Sequence, residues 1–461
     1  MKNIKDQFAL MLLSAAFFQV GCERAIMMPT ETIEERQRGT VVKTPADRTP
    51  VEGQTRILGT GWYANVEVDS QDRLHFAWVD ADLGDVLYAV TDPGGTEAGP
   101  PQPVEVRGAV GSYLQLALGK GDTPVLIYYH QDSQSLRMAH READLQVMKA
   151  AGADVAWSPA SAPKPTAKTG AQAKGAKTAG KSPKEVGSGK DAVRKDITKR
   201  MGDGWIGETI TIGDNVGMAS RLRIDASGRP HLIYRTKKEK LHYARRPSQL
   251  PAFGDGTMGK FEISVVDTNA GASYTMTSDL LVLQDQSLMI SYCHWNYVDS
   301  SLKLAHLPAG KDSFSVLKLP MSKQVDGWHS GLLQNRDGSI AVYSVATGDQ
   351  KMYQFDLDLK KYEVPTQRQV IMERPGASII KRSSDGTVWI LTRGQGIESL
   401  GEKSGVWLIE IPKGDQSKIR RKMLELGAAS DPWIDLALRQ DGRPVAVWTA
   451  PDQKSMRIYA P

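Results

Sequence analysis

SRLRIDASGRPHLIYRTKKEKLHYARR, from Ser220 to Arg246, is the stretch whose reading decides the fold. Ser220–Asp225 alternates polar and apolar residues, with Leu222 and Ile224 on one face. Ala226–Pro230 is a turn, and Gly228 supplies the freedom for a left-handed backbone there. His231–Arg235 is an apolar strand carrying an aromatic, and Leu241-x-Tyr243-Ala244 is a third short strand. Alternation bounded by Gly, Pro, Asp and Ser is the signature of strands joined by tight turns.

The unit recurs in both directions. The first repeat is Tyr63–Asp69, Leu74–Asp80 and Val86–Thr91, with a fourth strand near Pro103–Arg107. The second is Tyr113–Leu118, Pro124–His130 and Leu136–His140; the third is the stretch above, closed by Phe261–Val266. The fourth runs Ser278–Gln284, Leu288–Trp295 and Leu302–His306, with Phe314–Leu319 outside it. The fifth is His329–Asn335, Ile340–Val345 and Met352–Leu357, and the sixth Ala377–Ser383, Val388–Arg393 and Val406–Ile411. The seventh is Trp433–Arg439, Pro444–Thr449 and Met456–Tyr459. First turns carry Asp or Asp-Gly, at Asp69, Asp225, Asp337-Gly338, Asp385-Gly386 and Asp441-Gly442. Second strands often end in an aromatic: Trp78, Tyr128, Tyr234, Tyr292, Tyr343 and Trp448. A four-stranded unit cannot bury both faces alone, so units of this length stack into a ring. The expectation is an all-β, seven-bladed β-propeller over residues 54–461. The last repeat lacks a fourth strand, and Thr55–Leu58 is the strand expected to supply it.

Outside the repeats the chain changes character. Lys2 and Lys5 precede an apolar run, Phe8–Val20, too short to span a membrane as a helix. The run ends in Gln19-Val20-Gly21-Cys22, which resembles the lipobox of bacterial lipoproteins, with Gln19 where Leu is usual. The resemblance implies a signal peptide over 1–21, lipidation of Cys22, and a membrane anchor. Glu23 follows the cysteine, and by analogy with enteric lipoproteins the outer membrane is expected rather than the inner. Residues 22–53 are polar, without apolar period, and read as a flexible tether. Cys293 is the other cysteine, so with Cys22 acylated no intrachain disulfide is available. A buried, inert thiol is its expected role.

The net charge of +5 comes from one segment. Residues 158–200 hold 11 Lys and Arg against 3 Asp and Glu, among Ala, Gly, Pro and Ser. The body is therefore slightly acidic. The segment lacks the apolar surface to offset its ordering entropy and is expected to be a disordered insert within the second repeat. It reads first as a solvated loop and, functionally, as a cationic arm for anionic polymer. Without interleaved aromatics it offers no base-stacking platform, so no specific nucleic-acid partner is expected.

Catalytic and metal motifs are not found. The eight histidines form no His-Glu-x-x-His pattern and no cluster with cysteine. No Gly-x-Ser-x-Gly elbow or phosphate-binding glycine loop occurs, and neither metal nor cofactor is expected. His75 and His231 stand at the same repeat position, which marks a structural role. Arg382-Ser-Ser-Asp385-Gly-Thr-Val-Trp389 resembles a repeat of the sialidase-like and two-component-regulator-type propellers. The resemblance covers Thr55 to Pro461 in architecture only, and no catalytic residue carries over from it.

The candidate site is the rim where first strands begin. Tyr63, Tyr113, His329 and Trp433 hold equivalent positions there, with Trp62 and Trp328 beside them. Closure of the ring would make Trp433, Tyr63 and Tyr113 an aromatic arc. Asp80, Asp132 and Asp431 stand in neighbouring loops. Aromatic faces with nearby carboxylates suit sugar rings or a cationic peptide. The alternative for the aromatics is plain packing between blades. The leading functional expectation is non-catalytic binding of a glycan, surface polymer or protein partner at the cell envelope. A propeller-type glycoside hydrolase or lyase is the alternative, and a structural scaffold the third.

Overall fold

The structure, a computed structural model, describes residues 55–141 and 201–461, apart from 96, 107–109, 203, 214–215, 239, 247–260, 272–276, 296–300, 320–325, 348–349, 360–368, 395–403, 416–417, 428–432 and 453. The signal peptide, Cys22, the tether and the insert 158–200 lie outside the described residues.

Every described strand pairs antiparallel with its neighbours. The first repeat is β1 (Thr55–Val68), β2 (Leu74–Asp80), β3 (Val86–Val90) and β4 (Gln102–Glu105). The second is β5 (Val110–Leu118), β6 (Pro124–His130), β7 (Ser135–Arg141) and β8 (Trp205–Ile212). The third is β9 (Met218–Ile224), β10 (Pro230–Arg235), β11 (Leu241–Arg245) and β12 (Glu262–Asp267). Next come β13 (Asp279–Val282), β14 (Leu288–His294), β15 (Ser301–Leu307) and β16 (Ser315–Lys318). The fifth set is β17 (Asp326–Gln334), β18 (Ile340–Ala346), β19 (Lys351–Leu357) and β20 (Gln369–Glu373). The sixth is β21 (Ser378–Arg382), β22 (Val388–Gly394), β23 (Gly405–Ile411) and β24 (Arg420–Leu426). The chain closes with β25 (Ile434–Leu438), β26 (Pro444–Thr449) and β27 (Ser455–Tyr459).

The fold is an all-β propeller of four-stranded blades. Five blades stand as separate four-stranded sheets, where seven were expected. The first and last repeats share one seven-stranded sheet, β25-β26-β27-β1-β2-β3-β4. The physical reason is β1, a continuous strand of 14 residues. Its first half pairs with β27, Thr55 opposite Tyr459 and Thr60 opposite Ser455. Its second half pairs with β2, Gly61 opposite Asp80 and Val68 opposite Leu74. The strand placed at Thr55–Leu58 thus completes the last repeat, but it runs on without a break into the first.

The core lies between repeats. Seven clusters of buried apolar side chains each combine residues of two consecutive repeats. One of them joins Val66 and Phe76 of the first to Val445 and Met456 of the last. The ring is therefore closed by the same packing that builds it. The aromatics that end the second strands are all buried in these seams. Several keep a partner for the polar tip, as Tyr292 does by donating to Asp267 at 2.8 Å.

First turns follow one geometry seven times. In each, the N–H of the opening residue donates to the carbonyl four residues on, at 2.7–3.1 Å; the openers are 69, 119, 225, 283, 335, 383 and 439. The fourth residue is left-handed in all seven: Asp72, Asp122, Gly228, Gln286, Gly338, Gly386 and Gly442. The aspartate read from sequence fills two different places in this turn. At Asp69 and Asp225 it opens the turn and accepts the N–H groups two and four residues on. At Asp337, Asp385 and Asp441 it sits third and accepts the N–H two residues later. A third-place aspartate, Asp285, does the same in the fourth repeat.

His75 and His231 belong to two copies of one buried relay. His75 Nε2–H donates to Asp69 at 3.0 Å, and the Tyr88 hydroxyl donates to His75 Nδ1 at 2.6 Å. His231 repeats this with Asp225 at 3.2 Å and Tyr243 at 2.6 Å. Burial holds both imidazoles below the ordinary histidine range, so they are neutral at pH 7. Cys293 is buried, as expected of an inert thiol.

Candidate binding face and axial cavity

The hairpins that follow second strands, and the segments that lead into first strands, share one end of the ring. Register shows it: Gly61 stands opposite Asp80, at the β2–β3 hairpin, and Val110 opposite His130, at the β6–β7 hairpin. The rim residues sit at this mouth.

The backbone there is strained in three successive repeats. Tyr63, Tyr113 and Ala219 are left-handed, with φ of 57°, 60° and 50°. Each lies beside a register slip between the first and second strands. A left-handed tyrosine is costly and persists only where neighbours impose it. Two residues earlier stands a glycine, Gly61, Gly111 or Gly217. At Gly61 a Cβ would meet the Val79 carbonyl oxygen at 2.2 Å, so only glycine allows this approach of β1 to β2. Asn65 fastens the first slip by donating to the Tyr63 carbonyl at 2.7 Å and to the Leu114 carbonyl at 3.0 Å.

The aromatic arc forms, and it divides in two. Tyr63 and Trp433 lie against each other with centroids 3.8 Å apart and planes tilted by 46°, and Tyr63 meets Tyr113 edge-on at 6.2 Å. Tyr113 continues to Tyr129 at 6.5 Å. Tyr113 and Tyr129 are buried in the seam between the second and third repeats, and there they act as packing. Tyr63 and Trp433 are half-buried and keep accessible surface at the mouth. Trp62 is half-buried against the seam of the first and second repeats.

The other residues read as a site are more dispersed. Trp328 is half-buried and meets Trp295 edge-on at 6.1 Å, a second aromatic pair that the sequence reading did not assemble. His329 is buried, with Nδ1 3.1 Å from the Thr277 hydroxyl. Burial and the nearby Arg221 push it down to about 3, so it is a neutral structural histidine rather than a rim ligand. Asp80 accepts the N–H groups of Asp82 at 2.9 Å and Leu83 at 2.7 Å and so braces the β2–β3 hairpin. Asp132 is exposed on the β6–β7 hairpin, while Asp431 lies outside the described residues. Among the described residues no group of three His, Cys, Asp or Glu side chains is gathered to hold a metal.

The axis carries a feature the sequence reading missed. The first strand of every repeat lines a narrow polar cavity, from Asn65 and Glu67 on β1 round to Asp435 on β25. The residues four positions before the turns are Asn65, Gln115, Arg221, Asp279, Gly331, Ile379 and Asp435, and all of them line it. First strands share no main-chain ladder with one another, and these side chains replace it. Asn65 donates to the Leu114 carbonyl, and Arg221 Nε donates to the Ser278 carbonyl at 3.1 Å. Asp279 accepts the Leu332 N–H at 2.9 Å, and Asp435 accepts the Val66 N–H at 3.0 Å. Each reaches the next first strand round the ring. The signal was available in sequence: polar residues recurring at one register of otherwise apolar strands. The space open to the centre of a water-sized sphere is about 20 Å³, room for about one small solute and too little for a sugar ring.

No protein-family profile matches the sequence, and no curated protein matches it. Solved structures similar in fold include an ulvan lyase, from a new family of polysaccharide lyases, at a TM-score of 0.50 and 8% identity, covering 88% of this chain and 96% of that one. The β-propeller domain of Cps50 (Swd1) from Myceliophteria thermophila is similar at 0.46 and 10% identity, covering 88% and 100%. The SapL1 lectin, in complex with α-methyl fucoside, is similar at 0.42 and 12% identity, covering 81% and 99%. These likenesses concern the fold alone.

Proposed function

We propose that the chain is a non-catalytic binding propeller of the bacterial cell envelope, anchored through a lipid at Cys22, that holds a glycan at its hairpin face. The observation that carries this is the half-buried Tyr63–Trp433 pair at the mouth, in contact with ring centroids 3.8 Å apart beside a strained, glycine-backed slip of β1. A sugar ring offers C–H faces to such a pair and hydroxyls to the carboxylates of the nearby hairpins. Fold alone does not choose between binding and lyase or hydrolase chemistry. The mouth favours binding, since the axial cavity is too small to take a sugar and its carboxylates are engaged, Asp279 and Asp435 by backbone N–H groups and Glu67 by Lys381 at 3.5 Å.

The blade count in this reading is seven, the seven-stranded sheet being two blades that share β1. Seven equivalent turns and seven first strands around the axis support it. The outer membrane is the proposed location, and the basic insert the proposed contact for anionic polymer.

A second reading, an envelope scaffold that binds protein, has its own support. Ile212, Ile263, Val265, Val316 and Val370 are exposed on the outer strands β8, β12, β16 and β20. The deciding experiment is a glycan array probed with the purified chain and its Trp433→Ala variant. The expected result is binding by the parent that the variant loses, at an unchanged melting temperature. An array silent for both proteins rejects the glycan and turns attention to the outer-strand surface.

A further inference from the structure

The axial cavity holds charges that are unequally answered. Asp279 accepts the Arg223 guanidinium at 2.9 Å, together with the N–H groups of Leu280 and Leu332. Glu67 stands 3.5 Å from Lys381. These four charges form two pairs. Among the described residues Arg221 has no carboxylate in contact, although Asp279 and Asp435 act on it across the cavity. Its Nε donates to the Ser278 carbonyl, and its Nη1 to Gln115 Oε1 at 3.0 Å, both neutral oxygens. Ser330 also lines the cavity, is buried to 3% exposure, and has a hydroxyl without a hydrogen-bond partner.

A guanidinium stays charged at any ordinary pH, and an enclosed charge without a counter-charge in contact is costly. Asp435 faces the same cavity and could in principle answer it. Burial and the neighbouring Glu67 raise the Asp435 carboxyl, however, which favours its neutral form as pH falls. With Asp435 neutral, Arg221, Arg223 and Lys381 outweigh Glu67 and Asp279 by one positive charge.

We propose that the axial cavity is a binding site for one small monovalent anion of chloride size, taken between the Arg221 guanidinium and the Ser330 hydroxyl. The cavity admits about one small solute, and a surplus of one positive charge calls for a monovalent anion. The approach is from the turn face, where Arg223 and Lys381 are partly exposed. Anion uptake and proton uptake at Asp435 are then coupled, each favouring the other. The groups facing Asp435 across the cavity are Glu67 on β1, Lys381 on β21 and Arg221 on β9. This inference is independent of the glycan reading.

The test is thermal unfolding of the full chain in sodium chloride or bromide against sodium gluconate, each at about 0.1 M so that screening is equal. Chloride is expected to raise the melting temperature over gluconate by roughly 1–3 °C. The rise should be larger at acidic than at alkaline pH. Arg221→Gln should abolish it. Asp435→Asn, which keeps an oxygen for the Val66 N–H, should give the larger rise at both pH values. Because Arg221→Gln also removes two hydrogen bonds and can fail to fold, Ser330→Ala and chloride-35 line broadening of the unaltered chain, reversed by bromide, provide a second arm. Equal melting in chloride and gluconate overturns the proposal. So does a chloride effect that Arg221→Gln and Ser330→Ala leave intact, or a bromide soak with only water on the axis.

Discussion

The two ends of the ring are built on opposite plans. At the turn end one hydrogen-bonded geometry occurs seven times, and the turns are fastened to each other. At the mouth, the positions equivalent to Tyr63 are Tyr113, Ala219, Thr277, His329, Ala377 and Trp433, different in residue type and in burial. Repetition at the turn end serves closure, since any blade must fit any neighbour. Difference at the mouth is where a single ligand can be recognised, because a repeated surface would offer it several equivalent places. A buried arginine shows the contrast most sharply. Arg235 ends β10 at the mouth and donates to the carbonyls of Ala270 at 2.8 Å, Gly271 at 2.5 Å and Cys293 at 2.8 Å, with its guanidinium 5.9 Å from the Tyr292 ring centroid. One side chain there pins the third repeat to the fourth, a task the turn end spreads over many weak bonds.

Arg235→Ala should therefore have the largest effect of any single substitution considered. It removes the buried guanidinium from the Gly271 and Cys293 carbonyls, while the Ala270 carbonyl keeps the Trp295 N–H at 3.3 Å, and the expected loss is roughly 3–5 kcal/mol by urea denaturation. A loss below about 1 kcal/mol would mean that water replaces the guanidinium and that the mouth is no more dependent on single residues than the turn end.

Acid comes next, and it acts on the turn end. His75 and His231 titrate below the free-histidine value because of burial, and Asp69 and Asp225 are held below the usual carboxylate range by the N–H groups, arginines and histidines around them, against the effect of their own burial. For both kinds of group the unfolded chain binds protons more readily than the folded one. Their contribution is complete above about pH 7 and declines as pH falls through the free-histidine value near 6.5, then further as the aspartates protonate. Urea midpoints measured from neutral to acidic pH should fall accordingly. The double variant His75→Phe/His231→Phe should be less stable at neutral pH and show a shallower decline. An unchanged slope in that variant would place the acid sensitivity elsewhere, for example at His140, which burial pushes down to about 4.

The sequence exposed the architecture because the architecture repeats. Alternation placed β2 and β6 at their observed limits, and the displaced closing strand followed from a missing fourth strand in the last repeat. What it could not expose was continuity: nothing in Gly59-Thr60-Gly61 announces that β1 passes from one sheet to the next unbroken, so the separate sheets were overcounted. The rim residues were also found by register, yet register says nothing of depth. Tyr63 and Tyr113 occupy the same position and the same left-handed backbone, but one keeps surface and the other is sealed in a seam. His329 looked like a rim ligand for the same reason. Depth depends on what the neighbouring repeat places opposite, and that is a tertiary fact.

The smallest effect is the most diagnostic of the turn end. Four of the seven left-handed turn residues are glycine and three are not. Those three accept hydrogen bonds from the preceding turn. Asp72 takes Arg439 Nη1 at 2.6 Å and the Gln440 N–H at 3.2 Å; Asp122 takes the Ser70 N–H at 3.1 Å and its hydroxyl; Gln286 takes Arg229 Nη2 at 2.9 Å. A side chain thus stands in a position that favours glycine where it clasps two blades, and glycine stands at the other four. Gln286→Gly relieves about 1 kcal/mol of left-handed strain but gives up an exposed hydrogen bond and loosens the unfolded chain, so the net change should lie within about 0.5 kcal/mol of zero. Gly338→Gln, placed where a Cβ meets nothing within 4 Å, has strain without a clasp and should cost about 1 kcal/mol. Crossing Gln286→Gly with Arg229→Ala isolates the clasp as a coupling energy, expected at about 0.5–1 kcal/mol. A coupling of zero, or a Gly338→Gln variant as stable as the parent, would mean that the three side chains are tolerated at the turns rather than placed there to join them.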